Sequence, residues 1–402
     1  MKIIIIGGGA AGFFSALAAK ALNLSAEVLI LESSSNLLNK VRLSGGGRCN
    51  VTNACFDPHL LIKNYPRGSK ELLGPFHKFQ PLDVIEWFKS RKVNLKKEAD
   101  GRVFPISNSS ETIINCFLEE AKKLGIKILT QMKLKDIKKN NDCFELNVGT
   151  EPSLLANRLI FATGSSQSGM EFVKKLGHTI KTPVPSLFTF NIPAFPLSRI
   201  SGVSLNNVKI RLKDSIFEQT GQLLITHWGF SGSAILKLSS WCARFIAEKN
   251  YIGNLLIDWI PEISADKLNH MIKVEQVTHP YKHLGNLRFT SIPKSLWNML
   301  CERAGLHSNL SLKKLIKKDI SKLSYLLKND CYEIKGKSAS KSEFVTCGGI
   351  VLSEVNFKTM ESKRRENIFF CGEILNIDGI TGGFNFQNAW TTGWIAGRAA
   401  AI

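Results

Sequence analysis

Apolar residues cluster along this chain in short unbroken runs rather than alternating with polar ones. Ile3-Ile4-Ile5-Ile6 is the first, residues 27–31 the second, and Leu159-Ile160-Phe161 and Ile368-Phe369-Phe370 follow much later. Strands buried on both faces read this way, as in a parallel sheet covered by helices. Between the first two runs, residues 13–22 are dense in Ala and Leu, the composition of a helix. Amphipathic helices are predicted over 83–93 and 111–123, the latter behind the Ser107-Asn108-Ser109-Ser110 turn. A short basic strand over 127–133 and a hairpin reaching Val148 come next. After Thr182-Pro183-Val184-Pro185 the pattern shifts to short β-branched runs at 187–192, 208–212 and 221–226, which predict a small β domain. Residues 227–247 start with His227-Trp228-Gly229-Phe230-Ser231-Gly232 and continue as a helix, and 262–328 read as a run of helices ending in one over 310–328. The last apolar strand returns the chain to its first lobe, and Gly379-Ile380-Thr381-Gly382-Gly383-Phe384-Asn385 leads into a closing helix. Ala389, Gly393 and Gly397 on that helix recur every four residues and allow close approach to a neighbour.

The first strand and helix enclose Gly7-Gly8-Gly9-Ala10-Ala11-Gly12, and Glu32 stands 20 residues past Gly12 at the end of the second strand. This is the spacing of a dinucleotide fingerprint. Gly7 permits the turn, Gly9 lets the backbone approach a pyrophosphate, and Gly12 lets the helix press on the sheet. The helix start at Ala10 and Ala11 offers unpaired N–H groups and a partial positive charge to phosphates. A Glu32 carboxylate suits two ribose hydroxyls better than a 2′-phosphate, so the ligand is FAD or NAD rather than NADP.

A second glycine-rich loop, residues 40–53 with Ser44-Gly45-Gly46-Gly47-Arg48-Cys49-Asn50 at its centre, follows soon after. Its glycines offer backbone N–H groups, and Arg48 and Asn50 add donors for a flavin or a phosphate. Cys49, beside Arg48, is expected to carry a lowered thiol pKa if both face the site. The strand ends Thr163-Gly164 and Gly372-Glu373 sit where a dinucleotide would lie. His227 and Trp228, at a strand end, are candidates to face a substrate.

Composition narrows the classes. The 402 residues are 44% apolar, which excludes a wholly disordered chain and allows two or three domains. The nine cysteines include no CxxC pair, so neither a metal site nor a disulfide framework is expected. No apolar run reaches the ~18 residues of a membrane span and no signal peptide is legible, so a cytoplasmic protein without membrane contact is expected. Lys and Arg number 53 against 33 Asp and Glu, a formal charge of +20 that favours polyanionic partners. Residues 310–341 alone hold nine Lys against three acids, with Lys313, Lys314, Lys317 and Lys318 opposite an apolar face of Leu and Ile at 312, 315, 316, 320, 323, 326 and 327. Such a face is either a solvated surface or a contact for a phosphate backbone, and these four lysines are the candidates for the latter.

Taken with Thr226-His227-Trp228-Gly229-Phe230-Ser231-Gly232, Cys371-Gly372-Glu373, Asp378-Gly379 and Thr381-Gly382-Gly383-Phe384-Asn385, the two glycine loops resemble the YhiN/BaiN-like flavoproteins from end to end. The resemblance implies FAD and an α/β fold. A discontinuous Rossmann-like FAD-binding domain of glutathione-reductase type would span 1–185 and 345–402, an inserted β-rich domain 186–261 and 329–344, and a helical subdomain 262–328. FAD contacts are then expected at Gly7, Gly9, Ala10, Ala11, Gly12, Glu32, Ser44, Gly46, Gly47, Arg48, Cys49, Asn50, Thr163, Gly164, Gly372, Glu373, Gly382, Gly383, Phe384 and Asn385.

Members of that family are linked to reduction of conjugated double bonds in steroid-like molecules, to amine oxidation and to dihydrouridine synthesis in ribosomal RNA. The charge of +20 ranks ribosomal RNA first, since a small apolar enone gains nothing from it. The expected reaction takes reducing equivalents from transiently docked NAD(P)H. Hydride then goes to C6 of an unstacked uracil and a proton to C5, with Cys49 as the acid and His227 as the alternative. A small-molecule reductase or oxidase, and an RNA-binding scaffold with structural FAD, are the competing readings.

Overall fold

Lys2–Ile6 (β1), buried from Ile3 onward, runs through the middle of a seven-stranded sheet. On one side it pairs in parallel with Glu27–Leu31 (β2), which pairs in parallel with Lys127–Leu129 (β3). On the other it pairs in parallel with Arg158–Phe161 (β4), and β4 with Ile368–Phe370 (β5). Ile5 therefore sits opposite Ile160, and Ile160 opposite Phe369, so segments from both chain ends share one sheet. The unbroken apolar runs are the ones buried here, as parallel pairing between helical layers requires. Val355–Asn356 and Glu361–Ser362 complete the edge beside β5 in antiparallel fashion.

The computed structural model describes residues 1–402 apart from 141–142, 150–151, 289–291 and 339–344. It forms two compact units, Met1–Ser186 with Ser340–Ile402, and Leu187–Ala339. Residues 339–344, assigned from sequence to the end of the inserted domain, lie outside the described residues.

Helix Ala10–Leu22 (α1) and the closing helix Phe384–Ala400 (α2) pack against each other in the first unit. A Cβ at Gly393 would stand 2.8 Å from the carbonyl oxygen of Ala11, and one at Gly397 would fall on that of Ser15. The four-residue glycine spacing thus brings the two backbones together. Phe14, Phe79, Trp87, Phe117 and Trp390 fill the space around them with tilted and edge-on rings. The helix expected over 83–93 is Pro81–Lys89: Pro81 opens it, the Asp83 carboxylate accepts the Gln80 N–H at 2.7 Å, and Lys92 at φ 63° lies beyond its end. The expected hairpin is the pair Asp136–Asn140 and Cys143–Asn147.

The second unit is built on a seven-stranded antiparallel sheet in the order Asp330–Lys335, Ile252–Asp258, Ser204–Leu212, Glu218–Ile225, Gly229–Ser231, Thr189–Asn191, Lys337–Ser338. Asp330, the buried first residue of its strand, accepts from Trp259 Nε1 at 3.1 Å and from the Tyr332 hydroxyl at 2.5 Å, and pairs with Arg303 at 2.6 Å. Helices Ala265–Thr278, Lys294–Arg303 and Lys317–Asn329 lie in the chain between the strands Ile252–Asp258 and Asp330–Lys335.

The continuous helix expected over 310–328 is not formed. Leu312–Lys314 is a separate 3-10 turn, Leu315 and Ile316 are extended, and the helix begins at Lys317, where the Asp319 carboxylate accepts the Ile316 N–H at 3.2 Å. Capping by Asp319 restarts the chain there. Lys313 and Lys314 consequently lie on a different element from Lys317 and Lys318, and Ile316, expected on the buried face, is exposed.

Candidate functional site

β1, β2, β4 and β5 run in parallel and end side by side, and each delivers one predicted segment: Gly7–Gly12, Glu32, Thr163-Gly164 and Gly372-Glu373. Open parallel sheets bind ligands at this edge. The three fingerprint glycines do different work. Gly7 has φ 114°, and a Cβ there would fall on the Ala162 carbonyl. A Cβ at Gly12 would fall on the carbonyl oxygen of Gly7 itself. Those two glycines close the turn and seat the helix. At Gly9 a Cβ would meet nothing within 4 Å, so nothing in the protein demands glycine there; the open space is available to a ligand.

Gly9 caps α1 without a side-chain hydrogen bond and no acid lies in the first turn, so the leading N–H groups of the helix lack an intrahelical acceptor. An anion is the natural complement. Glu32 stands beside this turn, its Oε2 accepting the Gly8 N–H at 2.8 Å and its Oε1 the Ser34 N–H at 2.8 Å. These bonds hold the carboxylate in place for hydroxyl donors.

Gly45, Gly46 and Gly47 have φ of 59°, 68° and 84°, a left-handed run that only glycine sustains cheaply. A Cβ at Gly46 or Gly47 would meet nothing within 4 Å, so backbone conformation rather than space selects glycine there. The loop that results is exposed at all three positions, with Ser44 holding its start through a 2.9 Å bond to the Val41 carbonyl.

Several side chains expected to face the cofactor turn inward. Cys49 is completely buried, and burial pushes its thiol up to about 12; the expected lowering is overturned. Its neighbour Arg48 is committed to Glu98 at 2.7 Å and lies over the Phe104 ring at 4.0 Å. With its amide oriented to satisfy both ends, Asn50 donates to the Thr52 carbonyl at 3.0 Å and accepts the Gly383 N–H at 2.9 Å. Asn385 both accepts the Gly379 N–H and donates to the Gly379 carbonyl, at 2.9 Å each, and Phe384 is buried. The Thr163 hydroxyl lies against Gly169 without a hydrogen-bond partner. These residues shape the loops.

The same bonds bring the second glycine loop and the Thr381-Gly382-Gly383 turn together. Besides Asn50, Asn53 Nδ2 donates to the Gly382 carbonyl at 3.1 Å, Thr52 Oγ1 bonds Gln387 Oε1 at 2.5 Å, and Trp390 Nε1 donates to the Val51 carbonyl at 2.8 Å. Gly383 at φ 95° presses so close to Thr52 that a Cβ would stand 2.5 Å from its carbonyl carbon. Gly372, at φ 74°, packs on Ala11, while Glu373 pairs with Lys40 and accepts the Thr346 N–H at 2.9 Å.

Sequence reasoning missed Lys40 as the partner of Glu373. It also missed the buried pair of Arg67 with Asp378, which takes a further bond from the Ser186 hydroxyl at 2.7 Å. Burial pushes the Asp378 carboxyl up, and Arg67 and Ser186 draw it back down. Lys40 and Asp378 lay in recognised segments; Arg67 and Ser186 did not. His227 and Trp228 are exposed at the bend before Gly229–Ser231 in the second unit, and Lys313, Lys314, Lys317 and Lys318 are exposed there too. Among the described residues no group of three His, Cys, Asp or Glu side chains could hold a metal ion, and no helix is long and apolar enough to cross a membrane.

The open Cβ position at Gly9, the uncapped helix start and the oriented Glu32 carboxylate fit an adenine dinucleotide of the FAD type. A Rossmann-type FAD-binding domain joined to an antiparallel unit, with the chemistry of an FAD-dependent oxidoreductase, is the class defined here. The chain belongs to the family described as HI0933-like protein Rossmann domain, whose model matches residues 1–399. That membership bears out the resemblance to the YhiN/BaiN-like flavoproteins. The chain is 29% identical to the 3-dehydro-bile acid delta(4,6)-reductase of Clostridium scindens, over 100% of this chain and 99% of that protein. It is 27% identical to the ribosomal RNA dihydrouridine synthase of Escherichia coli, over 97% and 96%. Among solved structures, 3-ketosteroid delta1-dehydrogenase from Sterolibacterium denitrificans matches with TM-score 0.53 at 11% identity, covering 99% of each chain, a likeness of fold.

Proposed function

We propose that this enzyme, reduced by NAD(P)H, saturates the C5=C6 bond of a uridine in ribosomal RNA. FAD, when bound, supplies the hydride chemistry. The chain's own residues supply the rest. The first-turn N–H groups of α1 hold the pyrophosphate, Glu32 receives ribose hydroxyls, and the main chain of Gly45–Gly47 and of Gly382–Phe384 lines the remaining length of the cofactor. Glu373, held by Lys40 and Thr346, fixes the loop that follows β5.

The observation that carries the RNA reading is the exposed basic surface of the second unit. Residues 262–328 hold twelve Lys and Arg against five Asp and Glu, and Lys313, Lys314, Lys317 and Lys318 all face solvent. Phosphate neutralisation by such a surface is worth most to a polyanion and far less to a small molecule carrying one charge or none. The name of the Escherichia coli relative agrees with this reading, which places the protein in the cytoplasm with ribosomal RNA. A target uracil must leave its stack to be reduced. The proton for C5 needs a donor that solvent can reload, which buried Cys49 is not.

A small-molecule reductase is the second reading, favoured by the name of the Clostridium scindens relative, which is the more identical of the two. Nucleoside analysis of ribosomal RNA from a deletion strain separates them. Loss of one dihydrouridine, restored by the wild-type gene, supports the proposal. Unchanged dihydrouridine, with purified enzyme turning over enones at a rate indifferent to salt, moves the assignment to the small molecule.

A further inference from the structure

The basic surface of the second unit also carries exposed aromatic rings. Tyr281 is 78% exposed, and Lys313 Nζ lies 5.7 Å from its ring centroid. That neighbourhood is built by the backbone: Lys313 N–H donates to the Pro280 carbonyl at 2.8 Å, Leu312 N–H to that of Lys282 at 2.9 Å, and the Ser311 hydroxyl to Pro280 at 2.7 Å. Gln276 ties the same turn to the preceding helix, donating to the Leu312 and Leu315 carbonyls at 2.8 and 2.7 Å. Breaking the expected helix at Leu315-Ile316 is what sets Lys313 beside Tyr281 rather than in line with Lys317. A second ring, Tyr325, is 70% exposed on helix Lys317–Asn329. Lys318, Lys322 and Tyr325 fall at steps of four and three, hence on one helix face, and all three are exposed.

We infer that Tyr281 and Tyr325 are stacking platforms for unpaired bases of an RNA substrate, with Lys313 and Lys314 beside the first and Lys318 and Lys322 beside the second taking the flanking phosphates. Aromatic rings interleaved with lysines bind single strands because every base has a face to stack, whereas the bases of a duplex are already stacked on each other. The enzyme therefore holds its target region as single strand, consistent with a uracil that must be unstacked to react. This rests on the RNA-substrate reading above and goes beyond it by naming the surface and the form of RNA it selects.

The test uses the full-length holoprotein and a fluorescently labelled uridine-rich 16-mer, single-stranded or annealed to its complement, titrated at several salt concentrations. Wild type is expected to bind the single strand more tightly than the duplex. Tyr281→Ala and Tyr325→Ala should each weaken single-strand binding on the order of ten-fold and leave duplex binding nearly unchanged, and Phe at either position should restore it. Neutralising Lys313 and Lys314 should instead lower both affinities and flatten the salt dependence. Wild type that binds neither RNA overturns the RNA reading itself. Wild type that binds RNA while both Ala variants bind single strand as tightly as it does overturns the platforms alone and leaves those rings as a contact for a protein partner. Unchanged flavin content and melting temperature in the variants verify that the fold is intact.

Discussion

Gly9→Val separates cofactor binding from folding within a single sequence motif. At Gly9 the backbone is extended, with φ −93° and ψ −169°, and a Cβ meets no atom within 4 Å. A β-branched residue fits that conformation, so the apo fold tolerates it at a cost of about 1 kcal/mol or less for the changed helix cap. The same substitution at Gly12 drives a Cβ into the Gly7 carbonyl oxygen, which the strand holds in place. If both glycines were merely structural, both variants would fail alike. The bound dinucleotide supplies the difference, because a valine at position 9 fills the approach of the phosphates to the helix start. Losing two charge-assisted N–H bonds at ~1.5–3 kcal/mol each costs ~3–6 kcal/mol. That corresponds to a rise in the dissociation constant on the order of a hundred- to ten-thousand-fold. The assay is FAD titration of deflavinated protein, with far-ultraviolet circular dichroism and a melting curve on the same samples. Gly9→Val should be folded and colourless, and Gly12→Val unfolded or insoluble. A folded Gly9→Val protein retaining one FAD per chain refutes the reasoning.

The remaining predictions concern the walls of the site. Glu32→Ala removes the ribose acceptor and should weaken FAD about 10- to 100-fold, taking ~1.5–3 kcal/mol for bonds to a charged group, in the same titration. Cys49→Ala should leave single-turnover reduction unchanged, and in the native protein the Cys49 thiol should resist iodoacetamide at pH 8 while exposed Cys331 reacts; mass spectrometry of the labelled peptides checks this. Gly383→Ala, forced against Thr52 at φ 95°, should lower the melting temperature and release FAD together. Arg67→Ala leaves Asp378 buried without its cation and should destabilise by ~3–5 kcal/mol at neutral pH. Because the folded-state pKa of Asp378 is already raised and rises further without Arg67, the folded protein binds the extra proton. Its stability should therefore recover as pH falls toward 5, which melting curves across pH 5 to 8 would reveal.

What the sequence made legible was whatever depends on local pattern. The four buried strands announced themselves as unbroken apolar runs, and the glycines of the first turn by their distance from Glu32. The cradle at the strand ends follows from those two features. What stayed hidden depends on partners far apart in the chain. Asn50 and Gly383 are separated by more than 330 residues, so nothing local revealed that the Asn50 amide is spent on the Gly383 N–H. Cys49 next to Arg48 suggested an activated thiol, but Glu98 takes the guanidinium and packing takes the thiol out of solvent. The broken helix at Leu315-Ile316 was masked by continuous apolar spacing, because Leu312 and Leu315 are buried from a turn and an extended segment just as they would be from a helix.

A single turnover with purified, anaerobically reduced protein tests the central claim most directly. Mixed with a fragment of ribosomal RNA from the deletion strain and digested to nucleosides, it should yield close to one dihydrouridine per flavin reoxidised, at one position of the fragment. Flavin that stays reduced in the presence of that RNA, but is rapidly reoxidised by an enone, would contradict it.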